Sequence, residues 1–183
     1  MLMVGALAGT KAAGVYSVAS RVATVLTFGL VAGNAWAAPR FAELHARGEH
    51  AELQAFVRSV ARVILLFTVP ALVAVLVTGP FLLGIFGPEF REGHSLLVVL
   101  ALGHLLSAAM GPVAYLTTMT GGQRDAAIVL TVSGLAGSAG AWLLIPRLGP
   151  IGAAWAALGA RVIWNVAMAV RLRQRTGLRT FAL

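Results

Sequence analysis

At 183 residues the chain is one folding unit, since domains run to roughly 100–200 residues. Apolar residues make up 59% of it and charged residues 11%, and the mean hydropathy is +0.88, against about 45–50% and about 25% in soluble domains. So few charges cannot clothe a water-facing surface, which excludes a soluble enzyme, a disordered chain and a nucleic-acid binder and places the chain in a bilayer.

The elements follow in chain order. Residues 1–14 are apolar at first but too short to cross, and break at Lys11. They read as the remnant of a preceding helix with an outer loop, and the opening MLMVGALAG lacks the basic start of a signal peptide. A crossing needs about 20 mostly apolar residues to span about 30 Å of hydrocarbon. The first such span runs from about Val15 to Ala38 and carries one charge, Arg21. Residues 39–58 are polar and broken at Gly48, after which Leu53, Phe56, Val57 and Val60 recur at helical spacing. A helix is therefore predicted from about Glu49 straight into the second span, which is charge-free from Val63 to Pro88. Gly87-Pro88 marks a turn. The third span is charge-free from Ser95 to Gln123, the fourth from Ala126 to Pro146, and the fifth, from about Pro150 to Val170, holds Arg161. Pro70 and Pro112 predict kinks in the second and third spans. Without water in the bilayer core each span must be helical, and none shows the alternation of a barrel strand.

The net charge of +8 comes from thirteen Arg, one Lys and six acidic residues. The basic residues are scattered between apolar runs rather than gathered on one face, so they read as an orientation signal. Arg40, Arg47, Arg58, Arg62, Arg124, Arg171, Arg173, Arg175 and Arg179 fall in one set of connections, and Lys11, Arg91 and Arg147 in the other. The nine-residue side is expected to be cytoplasmic, with the C-terminus inside and the N-terminus outside. The domain reading is thus a remnant at 1–14, a five-helix all-α transmembrane bundle at 15–170 and a basic cytoplasmic tail at 171–183. The bilayer is the first partner, and nucleic acid is not one.

Charge inside a membrane marks function, because Arg at a helix centre costs at least about 2.5–3.5 kcal/mol to insert. Arg161 sits 11 residues into the fifth span, near the midplane at about 1.5 Å per residue. It shares a face with Ala153, Ala157, Asn165 and Met168, so it points toward protein. Arg21 lies about two turns from the outer end of the first span, where it can snorkel to the interface, and beside a polar stripe of Ser17, Ser20, Thr24, Thr27 and Asn34 that faces either other helices or water. His104 shares a face with Ser107, Gly111 and Thr118 in the third span. Arg161, Arg21, Asn165 and His104 are the candidate cavity residues. No span carries Asp or Glu, and there is no HExxH, no catalytic-triad spacing and no phosphate loop. Cysteine is absent, so thiolate chemistry and cysteine metal sites are excluded. No enzyme activity, cofactor or metal is expected.

Five segments in order carry a resemblance. Gly14, Tyr16, Ala19 and Arg21 match G-x-Y-x-x-A-x-R/K, and Pro39, Ala42, Leu44 and Gly48 match P-x-x-A-x-L…G. Leu82, Leu83, Phe86, Gly87 and Phe90 follow L-L-x-L-F-G-x-x-F, and Thr120-Gly121 a T-G turn. Ile145, Pro146, Gly149, Gly152, Ala153 and Ala154 follow I-P-x-x-G-x-x-G-A-A. Over about residues 14–170 the chain resembles the C-terminal half of polysaccharide or lipopolysaccharide flippases of the multidrug/oligosaccharidyl-lipid/polysaccharide exporter superfamily. The resemblance implies one bundle of a two-bundle transporter in the inner membrane. It also implies export of an isoprenoid-pyrophosphate-linked glycan, with a missing N-terminal bundle or a second copy as partner. A cationic cavity holding Arg161 and Arg21 suits the pyrophosphate. The alternatives are a drug or cation exporter, which predicts acidic residues in the spans, and a non-transporting membrane assembly protein.

Overall fold

The computed structural model describes residues 1–178, and every regular element among them is helical. In order these are α1 (Leu2–Thr24), α2 (Thr27–Ala46), α3 (His50–Gly84), a 3₁₀ turn (Pro88–Gly93), α4 (His94–Met110), α5 (Val113–Met119), α6 (Gln123–Leu148) and α7 (Pro150–Thr176). Arg179 and the tail beyond it lie outside the described residues.

Among the described residues, five helical stretches are long and apolar enough by length and composition to cross a membrane: Leu2–Thr24, His50–Gly84, Pro88–Met110, Gln123–Leu148 and Pro150–Thr176. Their outer surfaces are apolar. Leu66, Val77, Phe81 and Leu135 are each 67–74% exposed, which water would penalise and lipid accepts. The multi-pass membrane reading therefore stands. α3 is continuous for 35 residues through Pro70 and Pro80. Its buried positions Leu53, Val57, Val60, Ile64, Thr68, Leu72, Val75, Gly79 and Leu83 keep the three/four spacing of one helix face.

Three breaks differ from the sequence reading. α1 is not straight: Gly9 has φ 86° and ψ 168°, and a Cβ added to Gly5 would lie 3.7 Å from Ala13 Cβ. Residues 2–8 thus double back along the helix that follows, and Val4 packs near Tyr16, Ile145 and Ala153. The first crossing then runs on into α2 with only a tightening at Val25 and Leu26, where amides bond three residues back rather than four. Thr24 Oγ1 donates to the Ser20 carbonyl and Thr27 Oγ1 to the Thr24 carbonyl, and such side-chain competition loosens the helical ladder. The third span, expected as one kinked helix, is two helices separated at Gly111 (φ 71°) and Pro112.

The packing sorts the charges by end. At one end Phe41, Leu44, Leu53 and Val57 share a core with Val113, Leu116, Val129, Met168 and Leu172. This end carries Arg40, Arg47, Arg58 and Arg62 near the α2–α3 turn, with Arg124, Arg171, Arg173 and Arg175 around α6 and α7. Arg175 binds Asp125 at 2.6 Å, and Arg40 binds Glu43 at 2.9 Å and Glu52 at 2.8 Å. Hydrogen bonding from Arg40, and then its charge, holds the Glu43 carboxyl below its ordinary range. At the other end Lys11 and Glu92 line a hollow with Leu148 and Pro150.

α6 and α7 form a hairpin through Gly149, whose φ of 66° and ψ of −151° suit glycine. Small residues set its spacing: a Cβ on Gly137 would lie 2.8 Å from Ala160 Cβ, and one on Gly152 would meet the Leu144 backbone.

Candidate functional site

Three of the four candidate residues meet in the middle of the bundle. α7 places Arg161 and Asn165 one turn apart on its inward face, with Asn165 and Met168 buried beyond them. α4 supplies the opposite wall. The stem of Arg161 lies across Gly103, where an added Cβ would come 2.9 Å from Arg161 Cδ. The absence of a side chain there lets the guanidinium reach His104, with Nη1 3.3 Å from Nδ1 and Nη2 3.3 Å from Nε2. Asn165 Nδ2 donates to Ser107 Oγ at 3.1 Å and to the Arg161 carbonyl at 2.9 Å. Ser107 in turn donates to the Gly103 carbonyl. The pair of inward faces is thus cross-linked by side chains 57 and 58 residues apart.

These groups open onto a cavity of about 230 Å³. α2 closes it with Thr27, Leu30 and Asn34, α7 adds Trp164, and Gly111 at the break between α4 and α5 also lines it. Asn34 is 6% exposed, and its Oδ1 has no hydrogen-bond partner. Leaving such a group unpaired costs about 1–3 kcal/mol. No carboxylate forms an ion pair with Arg161 among the described residues. Tyr16 of α1 lies within electrostatic reach of the guanidinium. The cavity therefore offers a cation with five N–H donors and two primary amides beside an aromatic ring, a set suited to an oxyanion or a polyhydroxylated group.

Arg21 is elsewhere. Its side chain is exposed on α1 and does not line the cavity. Of the polar stripe beside it, Thr27 and Asn34 reach the cavity, while Ser17, Ser20 and Thr24 do not. Thr118 turns its hydroxyl back to the carbonyls of Ala114 and Tyr115. The sequence reading does not bring Gly103, Asn34 or Trp164 forward as cavity residues. Asn34 had a visible signal as an amide inside an apolar span, whereas Gly103 gains its meaning only from the arginine laid across it.

The fold and cavity define a polytopic helical membrane protein with a cationic site between its helices. The family described as polysaccharide biosynthesis protein matches residues 1–92, half of the chain. The chain belongs to this family. The match includes the α2 wall of the cavity and ends before Gly103, His104, Arg161 and Asn165. No curated protein and no solved structure matches the chain.

Proposed function

We propose that this chain serves polysaccharide biosynthesis as a flippase component, carrying an isoprenoid-pyrophosphate-linked glycan across the cytoplasmic membrane. The observation that carries the reading is Arg161, a cation with no carboxylate partner among the described residues, in a polar cavity between membrane-spanning helices. An arginine held there without neutralisation is costly unless it meets an anion. The cavity, at about 230 Å³, is below the roughly 300–1,000 Å³ of sites that enclose drug-sized ligands. It suits one anionic group of the carrier, with the glycan and the isoprenoid chain outside it. In this reading the protein moves its substrate without altering it, and a second bundle or a second copy supplies the opposing wall. The family match over residues 1–92 supports the polysaccharide part of this reading, and the resemblance to the C-terminal half of flippases suggests the second bundle.

Export of glycan in cells that depend on this chain tests the reading. Arg161→Ala is expected to abolish export at normal abundance, and Arg161→Lys to retain part of it, because Lys keeps the charge but loses the bidentate fork. Arg161→Gln is expected to behave as Ala. Normal export by Arg161→Gln at normal abundance removes Arg161 from the transport mechanism and leaves it a structural hydrogen-bonder.

A further inference from the structure

The contact between Arg161 and His104 is short of acceptors. A guanidinium only donates, and a neutral imidazole accepts at one nitrogen while carrying hydrogen on the other. Both ring nitrogens nevertheless face guanidinium nitrogens at 3.3 Å. With His104 neutral, at most one of the two contacts is a hydrogen bond, and the tautomer decides which. A proton on the free ring nitrogen would remove the single acceptor and place two cations in contact, where attraction and repulsion are far stronger than in water.

The neighbours do not offset that charge. α7 brings Arg161 itself. α1 brings Tyr16, near Arg161, while Arg21 is exposed. α2 brings uncharged Thr27 and Asn34 to the cavity, and the buried face of α3 passes with Ile64, Thr68, Leu72 and Val75. The 3₁₀ turn carries Glu89, Arg91 and Glu92, and His94 opens α4; these lie ten or more residues before His104, about 15 Å along the helix axis.

An acceptor without a donor lines the same cavity as the guanidinium. The stem of Arg161 lies against the α4 backbone at Gly103, where an added Cβ would come 2.9 Å from Cδ. Asn34 Oδ1, on the α2 wall of the same cavity, is buried and accepts from nothing.

We propose that His104 and Arg161 form a proton-controlled latch on this cavity. With His104 neutral, the guanidinium is held against α4. A proton taken up on the accepting ring nitrogen releases it toward Asn34 and the cavity, where an oxyanion of the ligand accepts from both cations. Proton uptake and anion capture then favour each other by equal factors. The inference rests on the reading that the cavity takes an anionic group, and adds that a proton enters with it.

The test uses the purified full chain in detergent micelles with sulfate as probe, an anion whose charge does not change over the pH range in which His104 titrates. The His104 ring resonance, one of four histidine signals, is identified by its loss in His104→Gln. Sulfate affinity is expected to rise by up to about tenfold per pH unit as the pH falls through the His104 titration. Sulfate should also raise the His104 midpoint. In folded His104→Gln the pH dependence of sulfate binding should disappear. The midpoint shift needs no variant, so it decides the matter even where His104→Gln does not fold. An unmoved His104 midpoint, an affinity independent of pH, a pH dependence kept by His104→Gln, or no sulfate binding at any pH overturns the latch. Export assays on the Arg161 variants are independent of this outcome. Export without linkage removes the latch alone, and linkage without export removes the transport reading alone.

Discussion

In the transport reading proposed above, Asn34 is the residue at which stability and function pull apart. Its amide is buried with Oδ1 unpaired, so the folded chain carries a cost of about 1–3 kcal/mol that an apolar side chain of similar volume would not. Asn34→Leu is therefore expected to raise the thermal midpoint in detergent while lowering glycan export. A lower midpoint, or higher stability with full export, would show that the amide is satisfied some other way. The sequence made parts of this site legible and not others. Arg161 and Asn165 stood out because a charge and an amide one turn apart in an apolar helix have few structural uses. His104 stood out as a histidine well inside a charge-free run. That Arg161 lies on His104 depends on a contact 57 residues away in sequence, which periodicity along a single helix does not report. Arg21 illustrates the converse: a charge inside an apolar run faces outward when the helix turns it that way, and residue type alone does not fix the turn.

At the level of elements, the glycines separate into those that set geometry and those that do not. Gly149 joins α6 to α7 at φ 66°, a conformation that costs a side-chain-bearing residue on the order of 1–3 kcal/mol. Gly159 lies within α7, and a Cβ there would meet nothing within 4 Å. Gly149→Ala is expected to lower stability by about 1–3 kcal/mol, whereas Gly159→Ala should leave it unchanged or raise it by about 0.5–1 kcal/mol through helix propensity. Thermal unfolding of both variants in one detergent checks the pair; equal effects would remove the argument from backbone strain. The spans themselves were readable because long apolar runs have one solution in a bilayer. The breaks were less so. Gly48 and Gly149 were visible as glycines between periodic segments. The tightening at Val25 and Leu26 was not, because it depends on two threonine hydroxyls choosing backbone carbonyls over other partners. Nor was the reversal at Gly9, because glycine within an apolar run gives no sign of which backbone region it will adopt.

Across the whole molecule, packing gathers the eight described arginines of one set at a single end, and Lys11, Glu92 and the α6–α7 joint at the other. Charge segregation of this kind orients a membrane protein, because basic connections resist translocation. The arginine-rich end is accordingly expected in the cytoplasm, with the α2–α3 and α5–α6 turns there and the 3₁₀ turn and α6–α7 joint outside. The absence of cysteine makes single-cysteine labelling a direct test in an unaltered background. Gln123 is exposed at the arginine-rich end, and Glu89 and Leu148 are exposed at the other. A membrane-impermeant maleimide added to intact cells with a permeabilised outer envelope should label Glu89→Cys and Leu148→Cys. It should reach Gln123→Cys only after the inner membrane is broken. The reverse pattern would invert the topology. Labelling of all three sites in intact cells would mean that the chain inserts in both orientations. Because the cavity around Arg161 lies between the two ends, the transport reading holds in either single orientation. What the labelling fixes is the side from which an anionic head group approaches it. With the arginine-rich end inside, the rim nearest the cytoplasm is the one that gathers anions, and the guanidinium lies deeper, where a captured group is already leaving that surface.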